Sequence, residues 1–283
     1  MAQFQLADTD KVTFDRDGVI VLRGFHDPER DILPIQRAIY EIIGLVIERH
    51  GLNILRESFS PLSFDAGFTE LIRINRGYGG EVYDLVKQIP AFLRLISSQH
   101  SEALFCSLRG TDLAGIGTAS YGIRIDNPGE EKFRSQWHQE YLYQPQSVDG
   151  IVLWTPLVPI LPETGPVMYC VGSHRDGLRK YVKDDVYSGK SGAYKISMLD
   201  EETIANQYPQ SSPLTQPGDV IVMDYLTIHQ SGYNRSARSR WSIQSRFFNF
   251  KDPSGMKIGW KASVTAGTEI EAIFSDYFVK GAA

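Results

Sequence analysis

The sequence predicts a mainly β protein with flanking helices, its strands wound as a double-stranded β-helix, or jelly roll. Three observations predict it. Apolar residues three and four apart mark helices before about residue 100. From about residue 117 the texture changes to short β-branched and aromatic runs broken by turn signals. No repeat, low-complexity tract or linker divides the 283 residues. Helices followed by many short antiparallel strands suit a helix-backed jelly roll. We therefore expect one domain over 1–283, with helical support over about 28–100 and a jelly-roll core over about 117–250.

Each element has its own signal. Residues 12–24 alternate and end in Val19-Ile20-Val21-Leu22-Arg23-Gly24, an expected strand closed by a glycine. Ile32, Ile35, Ile39, Ile42 and Val46 share one helical face, with Asp31 as cap and Gly51 as stop. A second helical region covers roughly 80–100, where Val82, Leu85, Val86 and Ile89 precede Pro90, and Phe92, Leu93 and Ile96 follow it. Pro90 suits the first turn of a new helix. Strands are expected near 117–126, 133–141, 148–157, 166–171, 219–224, 226–232 and 241–250. Asp126-Asn127-Pro128-Gly129 and Gln216-Pro217-Gly218-Asp219 supply turns between them. The stretch 174–215, rich in Tyr, Lys, Ser and Gly, is a long excursion of the kind that forms lids and substrate loops.

Composition narrows the function. Apolar residues at 42% and charged residues at 22% suit a globular chain with a sizeable core. Lys and Arg number 29 against 34 Asp and Glu, a net charge of −5 with no basic cluster, which argues against a nucleic-acid partner. No apolar run approaches the ~20 residues that span a bilayer, so no membrane role is expected. Met1 to Asp10 carries acids and no hydrophobic secretory segment. Cys106 and Cys170 are the only cysteines, and two reduced thiols in a cytoplasmic protein are expected.

Two of the six histidines stand out by context. His138 lies in Gln136-Trp137-His138-Gln139-Glu140, and on an extended segment a His-x-Glu spacing puts both side chains on one face. His229 lies 91 residues downstream, on another expected strand. Two imidazoles and one carboxylate, with the remaining positions open, make the facial triad of non-haem Fe(II) oxygenases. Asp126 and Glu131 are poorer alternatives to Glu140 on a turn. Eleven residues beyond His229, Arg240 opens a run in which Arg240, Ser242, Gln244 and Arg246 share one face and Trp241, Ile243 and Phe247 the other. A fully polar face fits either a barrel with a polar interior or a strand facing solvent. An Arg in that place suits bidentate grip of a carboxylate. Ser231, two after His229, shares the face of that histidine.

The segments Trp137-His138-Gln139-Glu140, Gly165-Pro166-Val167 to Gly172-Ser173-His174, and Gly218-Asp219 to His229, Ser231, Asn234, Ser236 and Arg240 together resemble the phytanoyl-CoA dioxygenase family. The resemblance covers roughly 117–250. It implies a cupin-like jelly roll that uses Fe(II), 2-oxoglutarate and O2. Carried over residue by residue, it implies His138, Glu140 and His229 as catalytic iron ligands, with Arg240 and Ser231 on the 2-oxoglutarate carboxylate. Trp154 is the implied aromatic of the co-substrate pocket and His174 a turn residue; Tyr121 and Gln136 are added as cofactor-binding candidates on their polar and aromatic character. The family usually carries His-x-Asp; here Glu140 keeps the charge and adds one methylene, and it argues against a halogenase, which vacates that position.

The implied reaction is hydroxylation of an unactivated C–H bond, with release of succinate and CO2. Arg124, Arg246 and Tyr141 are the substrate candidates, with Tyr143 a further lining residue. Either arginine would suit a small polar or anionic metabolite, or an internal ion pair to an acid such as Asp126. Two other classes share the architecture: a cupin-like metal-dependent isomerase or epimerase, and a non-catalytic jelly-roll binding protein. Arg240 speaks against the first, having no evident task without a dicarboxylate, and the complete ligand set speaks against the second.

Overall fold

Alternation along one long strand organises the molecule. The computed structural model describes residues 6–117, 119–183 and 196–279. Strand β11 (Arg240–Asn249) pairs antiparallel with β4 (Gly150–Pro156) on one side. On its other side lie β2 (Ala114–Ile116) and β3 (Gly122–Asp126), end to end. Beyond β4 come β9 (Val220–Asp224) and then β1 (Val19–Leu22), completing a six-stranded antiparallel sheet. A second antiparallel sheet has the order β10 (His229–Ser231), β5 (Val167–Cys170), β8 (Gln210–Ser211). In a third, β6 (Tyr181–Lys183) pairs antiparallel with β7 (Ile196–Met198) and parallel with β12 (Phe278–Val279).

The apolar face of β11 faces the core. Trp241 and Ile243 join one buried cluster with Ile35, Ile39 and Ile43 of α2 (Leu33–Arg49), Phe68 of α3 (Phe68–Ile74), Val82 of α4 (Arg76–Val86) and Phe92 of α5 (Pro90–Ile96). The Trp241 ring meets Phe64 and Phe68 edge-on at 5.8 and 5.0 Å, and its Nε1 donates to Asp65 at 3.1 Å. Phe247 joins a second cluster with Ile151, Leu153, Val220 and Val222, under Phe14 of α1 (Asp8–Asp17) and Leu104 and Phe105 of α6 (Gln99–Arg109). Each large apolar side chain so buried contributes about 1.5–3 kcal/mol. Helices thus cover the outer face of the large sheet, and the polar face of β11 is left for the interior.

Three local expectations are corrected. Residues 8–17 form a helix where the alternation suggested an extended approach to β1. Phe14 is its only buried residue, so no apolar stripe betrays it; Asp8 and Asp10 favour its first turn, and Gly18, left-handed at φ +73°, closes it. Of the stretch expected as a strand over 117–126, only 122–126 is one, as β3; β2 ends before it at Ile116, and between them the Ser120 N–H bonds the Gly117 carbonyl. The expected strand over 133–141 reduces to a single bridge at His138, and α7 (Glu140–Tyr143) begins two residues later. Apolar periodicity also leaves α3 and α6 unannounced, since both are short. Of the excursion read as a lid, 184–195 lies outside the described residues.

Among the described residues no helix is long and apolar enough to cross a membrane. Cys106 and Cys170 are free thiols.

Candidate metal centre

His138 and His229 are brought together by the backbone. Each donates its N–H to the other's carbonyl at 3.0 Å, so the two residues face each other across a narrow antiparallel bridge. Their ring centroids lie 4.2 Å apart. The register is set on both sides. Ser173, fully buried in the turn after β5, donates to the Cys170 carbonyl at 2.8 Å and accepts from the Ile228 N–H at 2.9 Å. Gly165 is left-handed at φ +75°, and a Cβ there would sit 2.6 Å from the Gly232 carbonyl oxygen, so the chain passes close beside the end of β10.

Each imidazole turns its Nδ1 away from its partner. His138 Nδ1 donates to the Gln136 carbonyl at 2.7 Å, and His229 Nδ1 to the Thr227 carbonyl at 2.9 Å. Both carbonyls belong to the residue two before, and each fixes the tautomer whose Nε2 carries a lone pair. Those Nε2 atoms lie 3.9 and 3.7 Å from Glu140 Oε2. One ligand atom from each of His138, Glu140 and His229 falls within 4.8 Å of the others, the only such group among the described residues. Glu140 reaches this point from the first residue of α7, not from a strand.

The electrostatics agree. Burial, with His229 alongside, holds His138 down at about 3, and burial lowers His229 as well. Burial pushes the Glu140 carboxyl up, but Arg246 and the two imidazoles outweigh it and leave the group below its ordinary value. At neutral pH three acceptors therefore converge with no proton among them. Such a set is unfavourable in a buried place unless a cation sits between its members, and two imidazoles plus one carboxylate are the donors a divalent iron accepts. The residues fit a metal.

A cavity of about 560 Å³ opens over this point. His138, Glu140, His229, Ser231, Trp154, Tyr121, Gln136, Arg124 and Arg246 all line it, with Tyr143. Trp154 is buried opposite Gln244 on β11, and Tyr121 is more than a third exposed. The polar face of β11 therefore points inward, as its parity allows. Tyr141 does not join the wall: its ring packs edge-on to Phe274 at 5.1 Å, because the helical turn of α7 sends alternate residues to different sides.

Nor do Arg124 and Arg246 offer free charge. Arg124 Nε lies 3.0 Å from each oxygen of Asp126, and its Nη2 donates to the Phe133 carbonyl at 2.6 Å. Arg246 Nε donates to Glu140 Oε1 at 2.9 Å, Nη1 to the Ser120 carbonyl at 2.8 Å and Nη2 to Gln244 Oε1 at 2.7 Å. Arg240 sits behind the cavity wall, fully buried, with Nη2 2.8 Å from Asp126 Oδ2. No described residue accepts from its Nε or Nη1, and the buried Ser242 hydroxyl two residues on also has no described partner. Burial pushes Asp126 up, but the two guanidiniums override it and hold the acid at about 2. Two guanidiniums share one carboxylate, leaving one buried positive charge over. These orphaned donors fit one further carboxylate.

The alternatives to Glu140 are otherwise engaged: Asp126 with its two arginines, and Glu131 with Arg134 at 2.6 Å. His174 lies in the turn after β5, its Nε2 3.3 Å from the Asp15 carbonyl, and Asn234 fastens the loop before Arg240 by donating to the Asp126 and Arg238 carbonyls. Two positioning residues carry no sequence signal. Gln139, fully buried between the two motif residues, donates to the Gly177 and Leu226 carbonyls and accepts from the Arg179 N–H. Arg134 holds Gln136, Gln230 and the Ser231 carbonyl. Surface-prone residue types of this kind read as solvent-facing until their partners are seen.

Comparison with known proteins bears on this site. The family model described as phytanoyl-CoA dioxygenase (PhyH) matches residues 98–242, just over half of the chain. No curated protein matches the sequence. Among solved structures the chain is similar to SnoK, a non-haem alpha-ketoglutarate-dependent carbocyclase from nogalamycin biosynthesis, with TM-score 0.57 and 14% identity over 86% of this chain and 84% of that one. It is also similar to EctD from S. alaskensis, solved with 2-oxoglutarate and 5-hydroxyectoine, with TM-score 0.55 and 17% identity over 86% and 76%. A third is the epimerase SnoN, in complex with Fe3+, alpha-ketoglutarate and nogalamycin RO, with TM-score 0.55 and 14% identity over 89% and 88%. At such identities the likeness is one of fold, the jelly roll with flanking helices.

Proposed function

The chain belongs to the phytanoyl-CoA dioxygenase family, and on that footing we propose that it is an Fe(II)- and 2-oxoglutarate-dependent oxygenase that hydroxylates an unactivated C–H bond of a small polar metabolite. The observation that carries this reading is the convergence of His138 Nε2, His229 Nε2 and Glu140 Oε2 on one point of the cavity, with both Nδ1 protons turned outward. In this reading those three hold the iron, and the rest of 1–283 acts with them as one unit. Bound there, iron and 2-oxoglutarate supply the oxidative chemistry, in which O2 is consumed and the co-substrate leaves as succinate and CO2.

The protein's own part is to bind, orient and exclude water. Arg240 supplies the spare donors for the distal carboxylate of 2-oxoglutarate, and Ser231 lines the cavity beside His229. Trp154, Tyr121 and Gln136 wall the co-substrate in, and the apolar part of the wall, including Val152, Val167 and Met223, keeps water out. The guanidiniums in the wall, Arg76, Arg124 and Arg246, each face an acid: Glu130, Asp126 and Glu140. This pairing favours a polar substrate over an anionic one.

The test is an anaerobic titration of the protein with Fe(II) and 2-oxoglutarate, followed by visible absorption. The expected result is the weak metal-to-ligand charge-transfer band, with succinate released once air and a substrate are supplied. Iron binding without the band would sink the reading and return the epimerase and binding-protein classes.

A further inference from the structure

The acid of the metal centre is held from behind. Glu140 has two carboxylate oxygens, and the structure divides them. Oε2 faces the two imidazole Nε2 atoms at 3.9 and 3.7 Å, while Oε1 takes the Nε–H of Arg246 at 2.9 Å. Arg246 is itself immobilised, because its two remaining nitrogens donate to the Ser120 carbonyl and to Gln244 Oε1. Gln244 stands two residues before it on the same face of β11, and that strand is paired on both sides. The guanidinium is thus a fixed plug, 15% exposed, against a carboxylate that is 4% exposed.

We propose that Arg246 is a positioning residue for the metal ligand: it occupies Glu140 Oε1 so that Oε2 alone is presented to the iron. The proposal rests on the reading of His138, Glu140 and His229 as the iron site. A Glu has one more rotatable bond than an Asp and can turn both oxygens toward a metal. Two-oxygen binding would use up a position that the co-substrate or O2 needs. The hydrogen bond from Arg246 removes that freedom, and the extra methylene lets Oε1 reach Arg246 while Oε2 faces the two imidazoles. The guanidinium also brings positive charge near the iron, which opposes binding. Which effect wins is measurable.

The experiment uses Co(II) in place of Fe(II), because its visible spectrum reports the number of ligands, and compares wild type, R246M, R246K, E140D and the double variant E140D/R246M. Failure of wild type to bind Co(II) at a single site would overturn the iron-site reading itself. With wild-type binding in hand, the expected result is that R246M binds Co(II) roughly 10- to 100-fold more weakly, the range for loss of a partner behind a ligand, with an altered spectrum. R246K, which keeps the charge but not the fork, should lose less. E140D, too short to reach Arg246, should lose affinity, and adding R246M to it should cost little more. Wild-type affinity and spectrum in R246M, tighter binding in R246M, or simple multiplication of the two single effects would each overturn the proposal. Should R246M fail to fold, R246K decides alone: a spectrum and affinity equal to wild type would overturn it.

Discussion

Arg240 and Arg246 stand six residues apart on the same face of one strand, and their surroundings are opposite. Arg246 has an acceptor for each of its three nitrogens, all supplied by the protein. Arg240 is the more deeply buried of the two, yet among the described residues its side chain pairs only with Asp126, and that acid already serves Arg124. Strand alternation turned both inward; their neighbours made one a structural brace and the other a donor awaiting an acceptor. A buried guanidinium whose Nε and Nη1 have no acceptor among the described residues is costly. Its persistence beside a cavity therefore points to a ligand, whereas a satisfied one explains itself.

The largest effect is expected from His229→Ala, which removes one of the three proposed ligand atoms and should abolish both the charge-transfer band and succinate release; an undiminished band would place the metal elsewhere. Next comes Arg240→Ala. Loss of two charge-assisted bonds, at about 1.5 kcal/mol each, should raise the half-saturating concentration of 2-oxoglutarate roughly 100-fold. Affinity for Fe(II) alone should stay at the wild-type level, and a parallel loss of both would dissolve the distinction between the two arginines.

A smaller effect concerns Asp126. Its carboxyl lies at about 2 in the folded protein against an ordinary 3.8. Because the folded value is depressed, the contribution to stability is complete above pH 4 and is lost as pH falls toward 2. The difference corresponds to about 2 kcal/mol. Denaturant titrations between pH 4 and 2 should show this slope in wild type and a flatter one in Asp126→Asn; equal slopes would remove Asp126 as the shared counterion. The least effect is expected from Tyr121→Phe, since that side chain is more than a third exposed at the cavity wall. Less than a twofold change in kcat/KM is expected, and a tenfold loss would make its hydroxyl a substrate contact.

Much of the site was legible because its signals are local. His-x-Glu and the alternation from Arg240 to Phe247 are patterns of period two; the alternation puts Gln244 and Arg246 on one face, inward or outward, and the folded chain turns that face to the cavity. His138 and Glu140 stand two residues apart, and their side chains approach one point. The two share a face not because a strand carries them both, but because a bridge ends at His138 and a helix begins at Glu140. The partners of Arg124 and Arg246 were left open in the sequence, where an ion pair and a ligand contact look alike. Gln139 and Arg134 were invisible, since each earns its place through bonds to residues 38 to 97 positions away.

By itself the sequence settled which residue types stand at which spacing and which faces of the strands are apolar, because these depend only on chain order and backbone period; the class of chemistry came from the family resemblance that those motifs carry. Tertiary structure alone decided which oxygen of Glu140 faces the imidazoles, which arginine is satisfied and which is left with free donors. Those outcomes depend on distances between segments about a hundred residues apart, and no local period encodes them.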